Sequence, residues 1–319
     1  MRIVVVGGSG HIGTFLVPRL VRAGHEVVNV SRGQRSHYVD DPAWSQVRPV
    51  TADRDDPAFP ETVSGLQPDV VVDLICFTLE SAIALVDRLR GQTGHLLHCG
   101  SIWRAGPSLK LPVTEENGPP PLGEYGIAKD AIARMLKEET RSGGLVTTSV
   151  HPGHIVGPGW HPIGPLGNVD PAVWRTLSAG DPLDVPGIGT EFMHHVHADD
   201  VAQIFEAAID RREAAAGEDF SAVAPSALNV RGYARIAASW FGQEARLRPV
   251  SWVDFRRTAG DEAAETSWEH LVRDHYFSID KARALLGYAP AYEPEQAILE
   301  AVRWLIDHDQ LDVATPLTV

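Results

Sequence analysis

Residues Ile3-Val4-Val5-Val6-Gly7-Gly8-Ser9-Gly10-His11-Ile12-Gly13 decide the fold. Ile3 to Val6 is a β-branched run of strand length, closed by a glycine cluster. Behind it, apolar residues recur at helical spacing through Ile12, Leu16 and Leu20. The cluster satisfies G-x-G-x-x-G from Gly8 and G-x-x-G-x-x-G from Gly7. Glycine here permits a tight turn, close approach of the backbone to a bound group, and contact between helix and strand. The first turn of the helix offers free N–H groups and the positive end of its dipole, which suits a phosphate. Strand, glycine turn and helix in that order form a pyrophosphate cradle. Gly7, Gly10, His11, Ile12 and Gly13 are therefore candidate contacts to a dinucleotide.

Outward from this unit, apolar runs at 26–30, 69–75, 95–99 and 145–150 alternate with helical patterns near 12–23, 79–90 and 125–142. Such alternation builds βαβ units and a parallel sheet. Near-continuous apolar strands mean that both faces of the sheet are covered. The pattern changes after residue 151. Prolines and glycines crowd between His151 and Pro171, which predicts a long loop, and such loops are functional or disordered. Further helices are expected near 171–179, 199–212, 231–241, 280–286 and 294–307. The fold class expected is α/β, a doubly wound parallel sheet followed by a smaller mixed α/β domain. The expected division is a dinucleotide-binding unit, 1–155, to which 195–225 returns, and a substrate-binding unit of 156–194 and 226–319. A chain of 319 residues suits two units of about 150 each.

Asp and Glu number 42 against 28 Lys and Arg, a formal net charge of −14. A surface this acidic lacks the positive footprint that nucleic acid or an anionic membrane requires. No nucleic-acid or membrane partner is expected, and a small-molecule substrate is. Two cysteines, Cys76 and Cys99, make no disulfide framework and suit a reducing compartment. Met1-Arg2-Ile3 opens with no targeting pattern, and no apolar stretch reaches membrane-spanning length. A cytoplasmic location is the expectation.

The end of the second strand tells NAD from NADP. A carboxylate there binds the ribose 2′-hydroxyl of NAD. Here the residues are Val30-Ser31-Arg32-Gly33-Gln34-Arg35, with no carboxylate. Arg32 can meet a 2′-phosphate with charge-assisted bonds. NADP is therefore preferred, with NAD as the alternative, and Arg35 reads as a solvated loop cation. Asp53, after the third strand, is a candidate partner for the adenine amino group.

Tyr125-Gly126-Ile127-Ala128-Lys129 opens a helix, and i, i+4 spacing puts Tyr125 and Lys129 on one face. A phenol titrates near 10 and is a poor acid–base catalyst at neutral pH. A neighbouring ammonium and a positive nicotinamide ring favour the phenolate and bring that value down. Ser101 follows the strand Leu96-Leu97-His98-Cys99, at the carboxyl end of the sheet where ligands bind. Its hydroxyl can bond the substrate oxygen that Tyr125 protonates. A turn or cap role is the other reading of this serine.

Further motifs complete a pattern: Pro68-Asp69-Val70-Val71-Val72, His151-Pro152-Gly153, Gly157-Pro158-Gly159, His197-Ala198-Asp199-Asp200-Val201 and Lys281-Ala282-x-x-x-Leu286-Gly287-Tyr288. With the glycine loop, Ser101 and Tyr125-x-x-x-Lys129, they make the chain resemble the extended short-chain dehydrogenase/reductases over almost its whole length. Within that group it is most similar to the NAD-dependent epimerase/dehydratase family. The resemblance implies a Rossmann-type domain with a small C-terminal substrate domain. It implies Tyr125 as general acid/base, Lys129 holding the nicotinamide ribose and lowering the tyrosine pKa, and Ser101 orienting the substrate oxygen. It also sets His151 and Gly153 beside the cofactor. The implied activity is hydride transfer at a hydroxyl or keto carbon of a sugar or sugar-like substrate. A homodimer through the tyrosine helix, with residues 131–141, is implied as well. One-way NADPH-dependent reduction of a small carbonyl compound is the alternative. A non-catalytic nucleotide-sensing or RNA-binding relative is another, which the acidic charge opposes.

The chain also departs from the family. Where arginines clamp the diphosphate of a sugar nucleotide, this chain has Met193 or His194; Arg before Pro152 is replaced by His151, and Asn after Gly153 by His154. Arg273 is the remaining clamp candidate. A diphosphate without partners is costly to desolvate, which favours a smaller polar substrate. His151, His154, His161, His194, His195 and His197 crowd the substrate side instead. Imidazoles there suit hydrogen bonding to hydroxyls, or a second acid/base group. For His161 and His197 a satisfied loop position is the plainer reading. Their spacing matches no metal-ligand pattern, so no metal is expected. Trp103, His154, His194 and His195 are the candidate substrate contacts. Trp160 either floors a sugar ring or packs, and Trp174 belongs in the core.

Overall fold

A computed structural model describes residues 1–319. Seven parallel strands form one sheet: β1 (Arg2–Val6), β2 (Glu26–Ser31), β3 (Arg48–Thr51), β4 (Val70–Asp73), β5 (His95–Cys99), β6 (Thr147–Pro152) and the strand Asp219–Ala222. Their order is Asp219–Ala222, β6, β5, β4, β1, β2, β3. The chain winds outward from β1 to β3, then restarts at β4 on the other side. The crevice at the carboxyl ends of β1 and β4 is the place where such sheets bind ligands. Helices α1 (His11–Arg22), α2 (Phe59–Gly65), α3 (Leu79–Leu89) and α4 (Gly123–Arg141) make the crossovers of this Rossmann-type sheet.

Alternation within the strands explains their unbroken apolar sequence. Ile3, Val5, Val27, Val72 and Leu97 enter one core, built with α1 and the helix Ala198–Asp210. Val4, Val6, Val28, Val71 and Leu96 enter the opposite core, with α2, α3 and α4. Each residue along β1 from Ile3 to Val6 is at most 1% exposed. Burying each such side chain contributes about 1.5–3 kcal/mol. A third core gathers Trp174, Tyr233, Trp240, Phe255 and Leu305 from the second half of the chain.

The segment after residue 194 comes back to the first half. His195–His197 pairs in parallel with β7 (His154–Val156), and Asp219–Ala222 extends the main sheet beside β6. The helix Ala198–Asp210 lies on α1, where Arg19 meets Asp199 at 2.7 Å and Glu206 at 3.1 Å. Phe277, Ile279, Ala282, Leu286 and Tyr288 also pack into the first core. Three helices occur where none was expected: Phe59–Gly65, Trp252–Ala259 and Asp261–Leu271; the last two bury only Phe255, and Ala264, Ser267 and Leu271. Trp174 is in the core as expected, stacked on Trp240 with ring centroids 6.4 Å apart. No helix is long and apolar enough to cross a membrane.

Leu97 is 0% exposed in the middle of the sheet. Leu97→Ala should lower the unfolding free energy by about 2–5 kcal/mol in urea titrations. Ile83→Ala, at a 41% exposed site on α3, should change it by less than about 0.5 kcal/mol.

Candidate active site

The glycine loop leaves no room for a side chain at its closest approaches. Gly7 turns at φ +82°, and a Cβ on Gly13 would stand 2.1 Å from the Gly8 carbonyl oxygen. No side chain caps α1 at Gly10, so its leading N–H groups are free for a ligand. Asn29 on β2 braces the loop by donating to the Ser9 hydroxyl at 2.7 Å. A Cβ on Gly7 would meet Ile75 Cγ2 at 2.8 Å and one on Gly8 the Asn29 Oδ1 at 2.7 Å, so glycine alone lets the turn close this tightly beside the free N–H groups that a pyrophosphate would need.

A cavity of about 310 Å³ opens on the β2 side, lined by Gly7, Gly10, Arg32, Arg35, Asp53 and Arg54 among others. Arg32 and Asp53 both line it. Asp53 also accepts the Asp55 N–H at 3.1 Å. Arg54 was not foreseen. It is buried in an ion pair with Asp73 at 2.6 Å and lies over the Phe59 ring.

A second cavity, about 550 Å³, adjoins it and contains Ser101, Tyr125 and Lys129 together, with His11, Ile12, Trp103, Gly153 and His154. Lys129 is 1% exposed and donates to the carbonyl oxygens of Cys76 at 2.7 Å and Cys99 at 2.8 Å. The ammonium lies 5.7 Å from the centre of the Tyr125 ring. Tyr125 is 43% exposed as a residue, and the hydration its phenol does lose pushes the pKa of the chain alone upward, with the nearby Ser101 hydroxyl offsetting a small part. Burial also lowers the Lys129 pKa. Ser101 stands beside the phenol, and its Oγ accepts the Trp103 N–H at 3.1 Å as a turn cap. Trp103 sets its ring edge-on to Tyr125 at 5.9 Å.

Several histidines differ from expectation. His151 does not reach the cofactor cavity. It lies beneath the Ser101 turn, accepts the Ser101 N–H on Nδ1 at 3.3 Å and faces Asp219 with Nε2 at 3.3 Å. Its direction follows from β6, which turns this side chain under Gly100; a Cβ on Gly100 would meet His151 Nδ1 at 2.1 Å. His194 is 0% exposed, bonded to the Ala224 carbonyl and the Phe277 N–H, and is no substrate contact. His195 stands behind His154 and bonds the Ile163 carbonyl. Of the four candidate substrate residues, Trp103 and His154 line the cavity. His197 caps the helix Ala198–Asp210 and stacks on Tyr292, and His161 is exposed. Arg273 is no clamp: it is 2% exposed, stacked on Trp103 and spent on the carbonyls of Glu269 and Leu122.

Sequence reasoning missed His270, Phe77 and Tyr38, which also line the cavity. His270 comes from the unexpected helix Asp261–Leu271, and no local motif marks it.

The fold and its glycine-loop opening define an extended short-chain dehydrogenase/reductase. The model of the NAD dependent epimerase/dehydratase family matches residues 3–222, and the chain belongs to that family. The 2′-dehydrokanamycin reductase of Streptomyces kanamyceticus is 31% identical over 202 residues, 63% of this chain and 55% of that protein. The match thus spans little more than half of that relative. A chloroplast stem-loop binding protein of 41 kDa from Arabidopsis thaliana is 25% identical over 94% of this chain and 78% of its own length. The solved UDP-glucose 4-epimerase of Thermotoga maritima with UDP-glucose has a TM-score of 0.74 at 19% identity, covering 97% of this chain and 99% of that one.

The buried imidazoles are neutral at pH 7. Burial, the largest cause, takes His11 and His194 down to about 3, and His151, His195, His270 and His275 down to about 4. Unfolding returns them toward 6.5, so between those values the unfolded chain binds more protons and stability rises with pH. Each contributes a slope of up to about 1.4 kcal/mol per pH unit. Urea unfolding should show a plateau near neutrality and a steep loss of stability from pH 6.5 toward 4; a level profile there would contradict neutral, buried imidazoles.

Proposed function

We propose that the protein is an NADP(H)-preferring oxidoreductase. It moves a hydride to or from a hydroxyl or keto carbon of a sugar or sugar-like substrate that carries no diphosphate. One observation carries the reading: Ser101, Tyr125 and Lys129 share a cavity that continues past Gly7 and Gly10 to Arg32 and Asp53. The nicotinamide supplies or accepts the hydride. Tyr125 gives its phenol proton to the substrate oxygen in reduction and takes it back in oxidation. A phenol is protonated at neutral pH and so starts as the acid, which suits reduction. Ser101 orients the same oxygen. Lys129 has three donors and spends two on carbonyls, leaving one for the ribose hydroxyls.

The substrate side supports a neutral molecule. Beyond Tyr125 the walls are Trp103, His154, Trp160, Ile163 and His270, and no carboxylate lines the cavity. Its cations, Lys129 and Arg35, lie on the cofactor side. The Thermotoga maritima neighbour holds UDP-glucose, whose diphosphate would find no partner on this wall. The name of the Streptomyces kanamyceticus relative supports a reductase. Residues 1–155 with 195–225 form the cofactor half of this reading, and 156–194 with 226–319 the substrate half. A homodimer through α4, at residues 131–141, belongs to it too. The Arabidopsis thaliana relative's name favours an RNA-binding reading, which the −14 charge and the intact Ser101, Tyr125 and Lys129 oppose.

NADPH consumption with a panel of neutral keto sugars tests the chemistry. Tyr125→Phe should lower turnover by roughly 10²–10⁴-fold while leaving NADPH affinity nearly unchanged; a variant that retains turnover removes the tyrosine from the mechanism. In calorimetric titrations the wild type should bind NADPH more tightly than NADH. Arg32→Ala should weaken NADPH by roughly 10–100-fold and NADH hardly at all. Equal wild-type affinities would overturn the NADP preference.

A further inference from the structure

We propose that Arg35 closes over the pyrophosphate of the bound dinucleotide, as a side-chain counterpart to the backbone cradle. The inference rests on the dinucleotide reading above and gives Arg35 a role separate from that of Arg32.

A neck joins the two cavities. Their linings share only Gly7, Gly10, Arg35, Ile75 and Phe77. A ligand with one end in each cavity passes this neck. Gly7 and Gly10 are the cradle itself, so the group at the neck is the pyrophosphate. Arg35 is the one charged side chain there. Arg32, three residues earlier, lines the β2-side cavity alone.

The loop that carries Arg35 is tied to the cradle. The Tyr38 N–H donates to Thr14 Oγ1 at 3.1 Å, and Thr14 Oγ1 in turn bonds the Gly10 carbonyl at 3.0 Å. Gly33, at φ +69°, turns the chain out of β2 toward this tether. The Arg35 loop is thereby fastened to the start of the helix whose N–H groups face the same ligand.

Arg35 is also unspent. Nearby arginines are committed: Arg54 to Asp73 at 2.6 Å, Arg22 to Asp41 at 2.6 Å, and Arg19 to Asp199 at 2.7 Å. Arg35 has no carboxylate partner and no hydrogen bond within the chain. A guanidinium presents a planar fork of donors that matches phosphate oxygens in pairs. The backbone N–H groups hold one side of the diphosphate, and Arg35 supplies full positive charge on the other. The helix dipole alone provides only about half a charge against the two on the diphosphate.

Calorimetric titration of the full chain with four probes separates the two arginines. NADPH carries both a pyrophosphate and a 2′-phosphate; NADH and ADP-ribose carry only the pyrophosphate; 2′-AMP carries only the 2′-phosphate. Arg35→Gln should weaken NADPH, NADH and ADP-ribose by a common factor of roughly ten or more, and leave 2′-AMP within about twofold. Arg35→Lys should recover part of the loss, since it restores the charge without the fork. Arg32→Gln should show the reverse pattern, weakening NADPH and 2′-AMP only. If Arg35→Gln weakens NADPH and 2′-AMP while sparing NADH and ADP-ribose, Arg35 is a 2′-phosphate ligand and the proposal fails. It fails equally if no probe responds. A wild-type chain that binds neither NADPH nor NADH overturns the dinucleotide reading itself.

Discussion

One buried ammonium fixes the geometry on which the site depends. Lys129 is 1% exposed, and a charge in that position is tolerable only when its donors are met. The carbonyls of Cys76 and Cys99 meet two of them. Cys99 ends β5, and Cys76 lies three residues beyond β4, so α4 is pinned against the carboxyl ends of adjacent strands. Tyr125 sits one turn earlier on that helix, and Ser101 lies two residues past Cys99. The glycine loop leaves β1, the neighbour of β4 on its other side. Removing the ammonium would lose a group in the cavity and also the fastening that brings the three segments together.

The Ser101 turn is held from below by a second polar network. His151 Nδ1 accepts the Ser101 N–H, and its Nε2 lies between Asp219 Oδ1 at 3.3 Å and the Arg104 guanidinium at 3.2 Å. Arg104 reaches Asp219 at 3.3 Å and Asp130 at 3.1 Å, and Lys137 reaches Asp219 at 3.1 Å. These cations and His151 hold the Asp219 carboxyl well below the usual carboxylate range, although burial alone would raise it. The network joins β6, α4 and the strand Asp219–Ala222. The return of the late segment to the main sheet thus supplies the partner that orients His151, and His151 supports the turn bearing Ser101.

What the sequence disclosed follows the same physics. Strands buried on both faces read clearly, because Ile3 to Val6 or Leu96 and Leu97 have no polar face to interrupt them. The strand β3, Arg48-Pro49-Val50-Thr51, sits at the sheet edge with most of its residues exposed, so no apolar run announces it. The helices Trp252–Ala259 and Asp261–Leu271 bury too few side chains to print an apolar stripe, and His270 was invisible with them. The glycine loop and the Tyr125–Lys129 pair, candidates for cofactor binding and catalysis, were legible as motifs, since glycine spacing and an i, i+4 interval are local. The histidines were not. Whether His151, His154, His194 or His195 faces the cavity depends on the strand face each occupies and on the neighbour paired to it, as where His195 registers against His154. The surroundings of Lys129 were hidden for a related reason: sequence shows an ammonium one turn from Tyr125, but not that it is already bound to two carbonyls.

The chemistry of His154 bears on which substrate this wall accepts. Both its ring nitrogens lack a partner within the fold, and burial with four neighbouring imidazoles keeps it neutral. A neutral imidazole has one donor and one acceptor. A phosphate at neutral pH offers acceptors almost exclusively, so it can satisfy one nitrogen and leaves the other buried without a bond, at about 1–3 kcal/mol. A hydroxyl both donates and accepts, and two adjacent hydroxyls satisfy both nitrogens in either tautomer. On the proposed reading, a wall of Trp103, His154 and His270 would discriminate by hydrogen-bond type as well as by charge. A hydroxylated face would match the imidazole and the indole better than a phosphate would, and on the same reading Arg32 and Arg35 would hold the phosphates at the other end of the cleft.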